Sequence, residues 1–233
     1  MSETRPAPLR GEHPAVPGIA PGATHGGRRT QRRAGRRKIT VLEAAGRVIA
    51  DRGADATRFT DVAAESGVPV SSLQYYFGSR EDLLVAAFRH ASTTETGSLE
   101  ASLAGRADPW DRLTLIVTQA LAGYQEDQAK AGRLWIESWH FAIRDQEMRA
   151  DTLRDYAEWR RLITDAVRLG IRAGRFTATL SPQRLAVLAI ALIDGLGIPL
   201  ALGDPGITVT TATQDVLATL ATVLRPGSSP PHE

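Results

Sequence analysis

The 233-residue chain contains no cysteine. That excludes a disulfide framework, a thiol nucleophile and thiolate metal ligands. Histidine is scarce as well: His13, His25, His90, His140 and His232 include no pair at the spacing of a metal-binding helix or loop. There is no Gly-x-Ser-x-Gly elbow, phosphate-binding loop or dinucleotide fingerprint, and Gly195 and Gly197 follow no strand. These absences argue against an enzyme and predict neither cofactor nor metal. No window alternates apolar and polar residues over a strand length, so an all-α fold with no sheet is expected. No apolar stretch follows the first charges, so the N-terminus does not read as a secretory signal. Together with the missing cysteines this fits a reducing cytoplasm.

Charge of one sign is scarce where the other is concentrated. Residues 1–38 hold nine basic side chains (Arg36, Arg37 and Lys38 among them) against Glu3 and Glu12, a net of +7. The remainder is −5, giving +2 for the whole chain. A mildly acidic body with a basic end points to a polyanion at one end only. Residues 1–36 are rich in Pro, Gly and Arg without a hydrophobic period, and are expected to be a disordered basic arm. The arm reads either as a solubilising tail or as a segment that follows phosphates or enters a minor groove.

The densest pattern lies at 60–82. Val62, Ala63 and Ser66 put small or apolar groups on one helical face, Gly67 allows a reversal, and Val68-Pro69 holds the chain extended. Leu73, Tyr76 and Phe77 share the buried face of a second helix, leaving Val70, Ser71, Ser72, Gln74 and Tyr75 outward. That is a helix-turn-helix whose second helix shows small polar groups at its N-terminal end, the end that enters a major groove. Ile39, Leu42, Ala45, Val48 and Ile49 form a preceding helix that ends at Gly53. Ser79 and Asp82 cap a following one that carries Leu83, Leu84, Ala87, Phe88 and Ala91 to about Thr96.

The segment from about Lys38 to Ala91 resembles the N-terminal domain of the tetracycline-repressor (TetR) family. The likeness rests on Ala44-Ala45, Ile49, Gly53, Val62-Ala63, Gly67-Val68, Leu73, Tyr76-Phe77, Arg80-Glu81 and Leu83-Leu84. It implies a DNA-reading domain over 37–93, a helical ligand-binding and dimerisation domain over 94–225 and a loose tail over 226–233. It also implies a homodimer on a double-stranded DNA inverted repeat, released by a small-molecule effector. Ser71 and Ser72 are expected at base edges, with Tyr75, Tyr76 and Arg80 on phosphates. Arg58, Thr60, Val70, Gln74, Arg36, Arg37 and Lys38 complete the DNA-facing set. The contrasting reading is a DNA-architectural or membrane-associated protein without an inducer.

The body reads as helix throughout. Asp108-Pro109-Trp110-Asp111 is a helix start, and further helices are expected over about 129–144, 147–173, 181–202 and 210–224. All four tryptophans fall between 110 and 159. They read either as core or as walls of an apolar cavity. For the cavity the candidates are Tyr124, Trp135, Trp139 and Tyr156, with Gln119, His140 and Asp194 as polar partners for an apolar or aromatic ligand. The stretch 185–202 is apolar all round, and Asp194 and Pro199 set a buried bundle helix above a membrane span. The resemblance makes it half of a dimer interface built from Leu185, Leu188, Leu192, Ile193 and Leu196, with Leu217, Leu220, Val223 and Leu224 from the last helix.

Overall fold

The computed structural model describes residues 25–125 and 129–226. Helix α1 (His25–Arg52) leads into a head made of α2 (Phe59–Ser66) and α3 (Val70–Phe77), and α4 (Arg80–Leu103) leaves it for the body. The body holds α5 (Pro109–Ala122), α6 (Ala129–Ala142), α7 (Gln146–Arg172), α8 (Pro182–Leu202) and α9 (Val209–Val223). Among the described residues, those from Arg36 onward form one compact unit.

Three expectations are corrected. Residues 25–36 are helical rather than a structureless arm, and 1–24 lie outside the described residues. Arg, Gln and Ala are good helix formers, so the stretch extends α1 without any apolar period. Helix α4 runs to Leu103, well past Thr96, because Leu99 and Leu103 enter the body's core. A small antiparallel pair also exists: β1 (Phe176–Ala178) against β2 (Leu224–Pro226). Three residues are too few to display a period of two.

The head packs around Val41, Ala45 and Ile49 of α1, Val62 of α2 and Leu73 and Phe77 of α3. Ile39 is 47% exposed; Val41 and Ala44 take the buried face instead. Ala142 and Met148 from the body belong to the same cluster, and Leu134 and Phe141 pack against it. The second core joins Leu113, Ile116 and Leu121 of α5, Ile163 and Val167 of α7, Leu185 and Ala189 of α8, and Val216 and Leu220 of α9. Asp108 caps α5 by accepting the N–H groups of Trp110 and Asp111, with Pro109 in the first turn.

Helix α8 is long and apolar enough to cross a membrane by length and composition. One face is packed on its own chain through Leu185, Ala186, Ala189, Ile190, Ile193 and Gly197. The other leaves Val187, Leu188, Ile198 and Leu202 exposed. This corrects four of the nine expected dimer residues. Leu185, Ile193, Leu220 and Leu224 are buried in the chain's own core, and Leu192, Leu196, Leu217 and Val223 are half-buried against it. Of the nine, Leu188 alone is exposed. An all-round apolar helix has no weak face in sequence, so its periodicity could not separate the two sides.

Candidate functional site

The head's outer surface follows from its turn. Gly67 caps α2 at φ 68, a left-handed conformation that costs glycine nothing, and its N–H reaches the Ala63 carbonyl. Pro69 then starts α3. Leu73 and Phe77 point inward, while Ser71, Gln74 and Tyr75 are exposed and Val70 and Ser72 half-buried. Tyr75 is 86% exposed, which is unusual for a large aromatic residue and leaves both ring and hydroxyl available. Arg36, Arg37, Arg58 and Thr60 are also exposed. Lys38 is exposed too, its ammonium 5.4 Å over the Phe77 ring. Tyr76 is half-buried between Tyr75 and Phe77, with edge-on rings.

Arg80 does not face outward as expected. Its Nε donates to the Thr57 carbonyl at 2.6 Å, and Nη2 donates to the carbonyls of Asp55 (2.8 Å) and Ala54. The guanidinium therefore fastens the α1–α2 turn from the first residue of α4. Glu137 of α6 holds the same turn from the body, accepting the Ala54 N–H at 2.7 Å. Lys130 of α6 pairs with Asp51 at 2.7 Å. On the opposite flank, Arg89 of α4 donates to Asp151 (2.9 Å) and Glu147 (3.0 Å) of α7.

Within the body a cavity of about 60 Å³ lies between α4, α5, α6, α7 and α8. Its walls are aromatic: Tyr124, Trp135, Trp139, Tyr156 and Trp159. Trp139 and Tyr156 lie nearly parallel, with centroids 6.3 Å apart and 26° between planes. Tyr124 is held between two glycines. A Cβ on Gly132 would come within 2.3 Å of its ring, and one on Gly197 within 2.8 Å of its hydroxyl. Two acids complete the lining. Glu95 accepts the Trp135 indole N–H at 2.8 Å, and Asp194 accepts the Tyr156 hydroxyl at 2.8 Å. Among the described residues neither acid has a Lys, Arg or His ion-pair partner.

Burial pushes both carboxyls above the usual carboxylate range, although the hydrogen bonds from Trp135 and Tyr156 oppose the shift. Burial, with Asp194 and Glu95 adding repulsion, pushes the Tyr124 hydroxyl up to about 12; Tyr156 is raised further by burial and its bond to Asp194. The phenols thus stay neutral donors, and no basic side chain among the described residues sits against either acid. Rings with negative faces beside two acids that lack a basic partner favour a cation that needs no hydrogen bonds.

Of the expected cavity residues, Tyr124, Trp135, Trp139, Tyr156 and Asp194 come together. His140 does not: it is exposed on α6 and its Nε2 accepts from Arg144 at 2.6 Å. Gln119 lines a separate, wider groove of about 510 Å³ between α1, α4, α5, α6 and α7. Trp110 packs edge-on against Phe176, away from the cavity. Glu95 and Trp159 were missed. Glu95, like Asp194, has no basic residue three or four positions away, a visible sign of an acid not spent on its own helix.

A two-helix reading head with an exposed polar and aromatic face, set on a helical body with an internal cavity, defines a helix-turn-helix transcription regulator. Residues 41–87 match the family described as bacterial regulatory proteins, tetR family, and residues 109–225 match BetI-type transcriptional repressor, C-terminal. The chain belongs to the tetR family, with a body of the BetI type, and is a DNA-binding transcriptional regulator. The HTH-type transcriptional regulator BetI of Rhizobium meliloti (strain 1021) is 30% identical over 175 residues, covering 74% of this chain and 82% of the relative. A putative transcriptional regulator from Saccharomonospora viridis, solved in complex with choline, is 28% identical with a TM-score of 0.74. That match covers 81% of this chain and 96% of the other. A putative TetR-family regulator from a Rhodococcus species is 26% identical with a TM-score of 0.71, covering 81% of this chain and 98% of the other.

Proposed function

We propose that the protein is a homodimeric repressor that leaves an inverted-repeat operator when a small quaternary ammonium compound of the choline type enters the aromatic cavity. The observation that carries this reading is the joining of five aromatic rings with two unpaired acids, Glu95 and Asp194. A tetraalkylated nitrogen cannot donate a hydrogen bond. Ring faces and nearby carboxylates are what recognise it. The choline complex of the relative from Saccharomonospora viridis supports the same chemistry. The expected apolar or aromatic effector gives way to a cationic one on account of the two acids.

The exposed stripe of α8 (Val187, Leu188, Ala191, Ile198, Leu202) meets its copy across a two-fold axis and covers an apolar face too extensive to leave in water. The two copies of α3 then lie about 34–36 Å apart, or a multiple, along one face of the duplex. Ser71, Gln74 and Tyr75 read or touch the groove, with Arg36, Arg37, Arg58 and Thr60 at its phosphate edges. Residues 37–93 serve as the DNA-reading domain and 94–225 as the sensing and dimerising one.

Tryptophan fluorescence tests the reading. Choline and tetramethylammonium should quench saturably and release a selected operator. The neutral isostere 3,3-dimethylbutan-1-ol should bind at least about tenfold more weakly, since it lacks the charge. Equal binding of the neutral isostere, or no quenching by either cation, overturns it.

A further inference from the structure

The cavity and the wide groove are separated by a thin partition. Glu95 and Trp135 line both, and they are bonded to each other through the indole N–H. The inner cavity, at about 60 Å³, takes a small cationic head and little more. The groove beyond it, at about 510 Å³, is far larger than that head requires. It is not a packing accident among large side chains. Its walls carry small residues on four helices: Gly46 of α1, Ala87 and Ala91 of α4, Ala122 of α5 and Ala131 of α6. A Cβ on Gly46 would meet only the Leu134 side chain, at 3.5 Å. The groove opens to solvent on the side of Glu43, Arg47 and Lys130, which are exposed, and its apolar floor is left uncovered by the described residues.

We propose that the groove is the second compartment of the effector site, and that the effector class is a quaternary ammonium carrying an extended aliphatic substituent. The head sits among the aromatic rings, and the chain passes the Glu95–Trp135 partition to lie between α1 and α4. This rests on the cationic reading of the inner cavity. Continuity through the shared pair sets the polarity of the ligand: charge inside, chain outside. Leu42 and Gly46 belong to α1, so a chain in the groove touches the head directly, which the ammonium group by itself does not.

The test is a series of alkyltrimethylammonium ions, from tetramethyl through ethyl, butyl, hexyl and octyl, titrated against the full-length protein below their micelle concentrations. Tryptophan quenching and operator release are followed together. Affinity should rise by about three- to fourfold for each buried methylene. Gly46→Leu, or Ala131→Leu at a solvent-exposed position that tolerates a larger side chain, should remove that rise while leaving tetramethylammonium binding unchanged. Tight tetramethylammonium binding with a flat series overturns the second compartment and leaves the cationic reading intact. No binding of tetramethylammonium at all removes both. A rise that persists at full size in both variants places the chain elsewhere and overturns the proposal.

Discussion

Arg80 offers the sharpest separation of a structural role from a DNA-contacting one. Its side chain is 28% exposed, and its forked donors serve the carbonyls of Ala54, Asp55 and Thr57. Ala54 and Thr57 are themselves buried, so water cannot readily replace the lost donors. A hydrogen bond to a charged group is worth about 1.5–3 kcal/mol, but these share one side chain and are not additive. Discounting for the exposed part, Arg80→Ala should cost about 2–4 kcal/mol, a large share of a typical 5–15 kcal/mol. Urea unfolding followed by circular dichroism should show the midpoint drop with an unchanged slope. Arg80→Lys keeps the charge but presents one nitrogen where three carbonyls need a fork, so it should lose nearly as much. Operator affinity should then be measured against salt at a temperature where the variants remain folded. The logarithmic slope should match wild type. If Arg80 instead held a phosphate, the alanine variant of the proposed dimer would lose about 1.8 from that slope, about 0.9 per contact, with stability unchanged. That result would refute the clamp.

Glu137→Ala removes the acceptor for the Ala54 N–H, and should leave tetramethylammonium binding intact while weakening its ability to release operator; full release measured by fluorescence anisotropy would show that the head takes its signal elsewhere. Burial raises the carboxyls of Glu95 and Asp194 above their ordinary values of 4.5 and 3.8, so in that window the folded chain binds more protons than the unfolded one, and their contribution to stability falls as pH rises through it. Cation affinity should run the opposite way, decreasing as pH drops through the raised values, with Glu95→Gln showing a shallower dependence of both; affinity that grows on acidification contradicts the role of the acids. Leu188→Glu with Ile198→Glu should give a folded monomer by light scattering, whereas Leu220→Ala should cost about 2–5 kcal/mol through the core of each chain. A double mutant that stays dimeric moves the interface off α8.

The head was legible because its signals are local. Gly67, Val68-Pro69, Leu73 and Phe77 each dictate a backbone or a face within a few residues, and the structure places Leu73 and Phe77 inward as read. What escaped was whatever depends on partners distant in sequence. Arg80 binds backbone carbonyls 23 to 26 positions away, and a carbonyl has no letter in the sequence. His140 and Trp139 are neighbours on one helix, yet one faces solvent and the other the cavity, a difference of about 100° that composition cannot resolve. The four aromatic cavity residues, Tyr124, Trp135, Trp139 and Tyr156, were legible because clustered aromatics are visible in a sequence. Glu95 was not, since it sits in a Ser/Thr-rich stretch of α4 that gives no hint of the tryptophan opposite.

Trp135 and Glu137 stand two residues apart on α6, the first against the cavity acid and the second against the α1–α2 turn. On an α-helix that spacing directs them about 200° apart, to nearly opposite sides of one rod. A rod has no slack about its own axis. With side-chain tips about 6 Å from that axis, a roll of about 15° carries both by about 1.6 Å in opposite directions. Such a displacement stretches and tilts the bond at Ala54, 2.7 Å long at rest, and so weakens it. Under the proposed function, sensing and reading are geared through a single axle, and the stiffness of one helical turn, rather than a relay of side-chain contacts, sets how much of a movement at the tryptophan reaches the head.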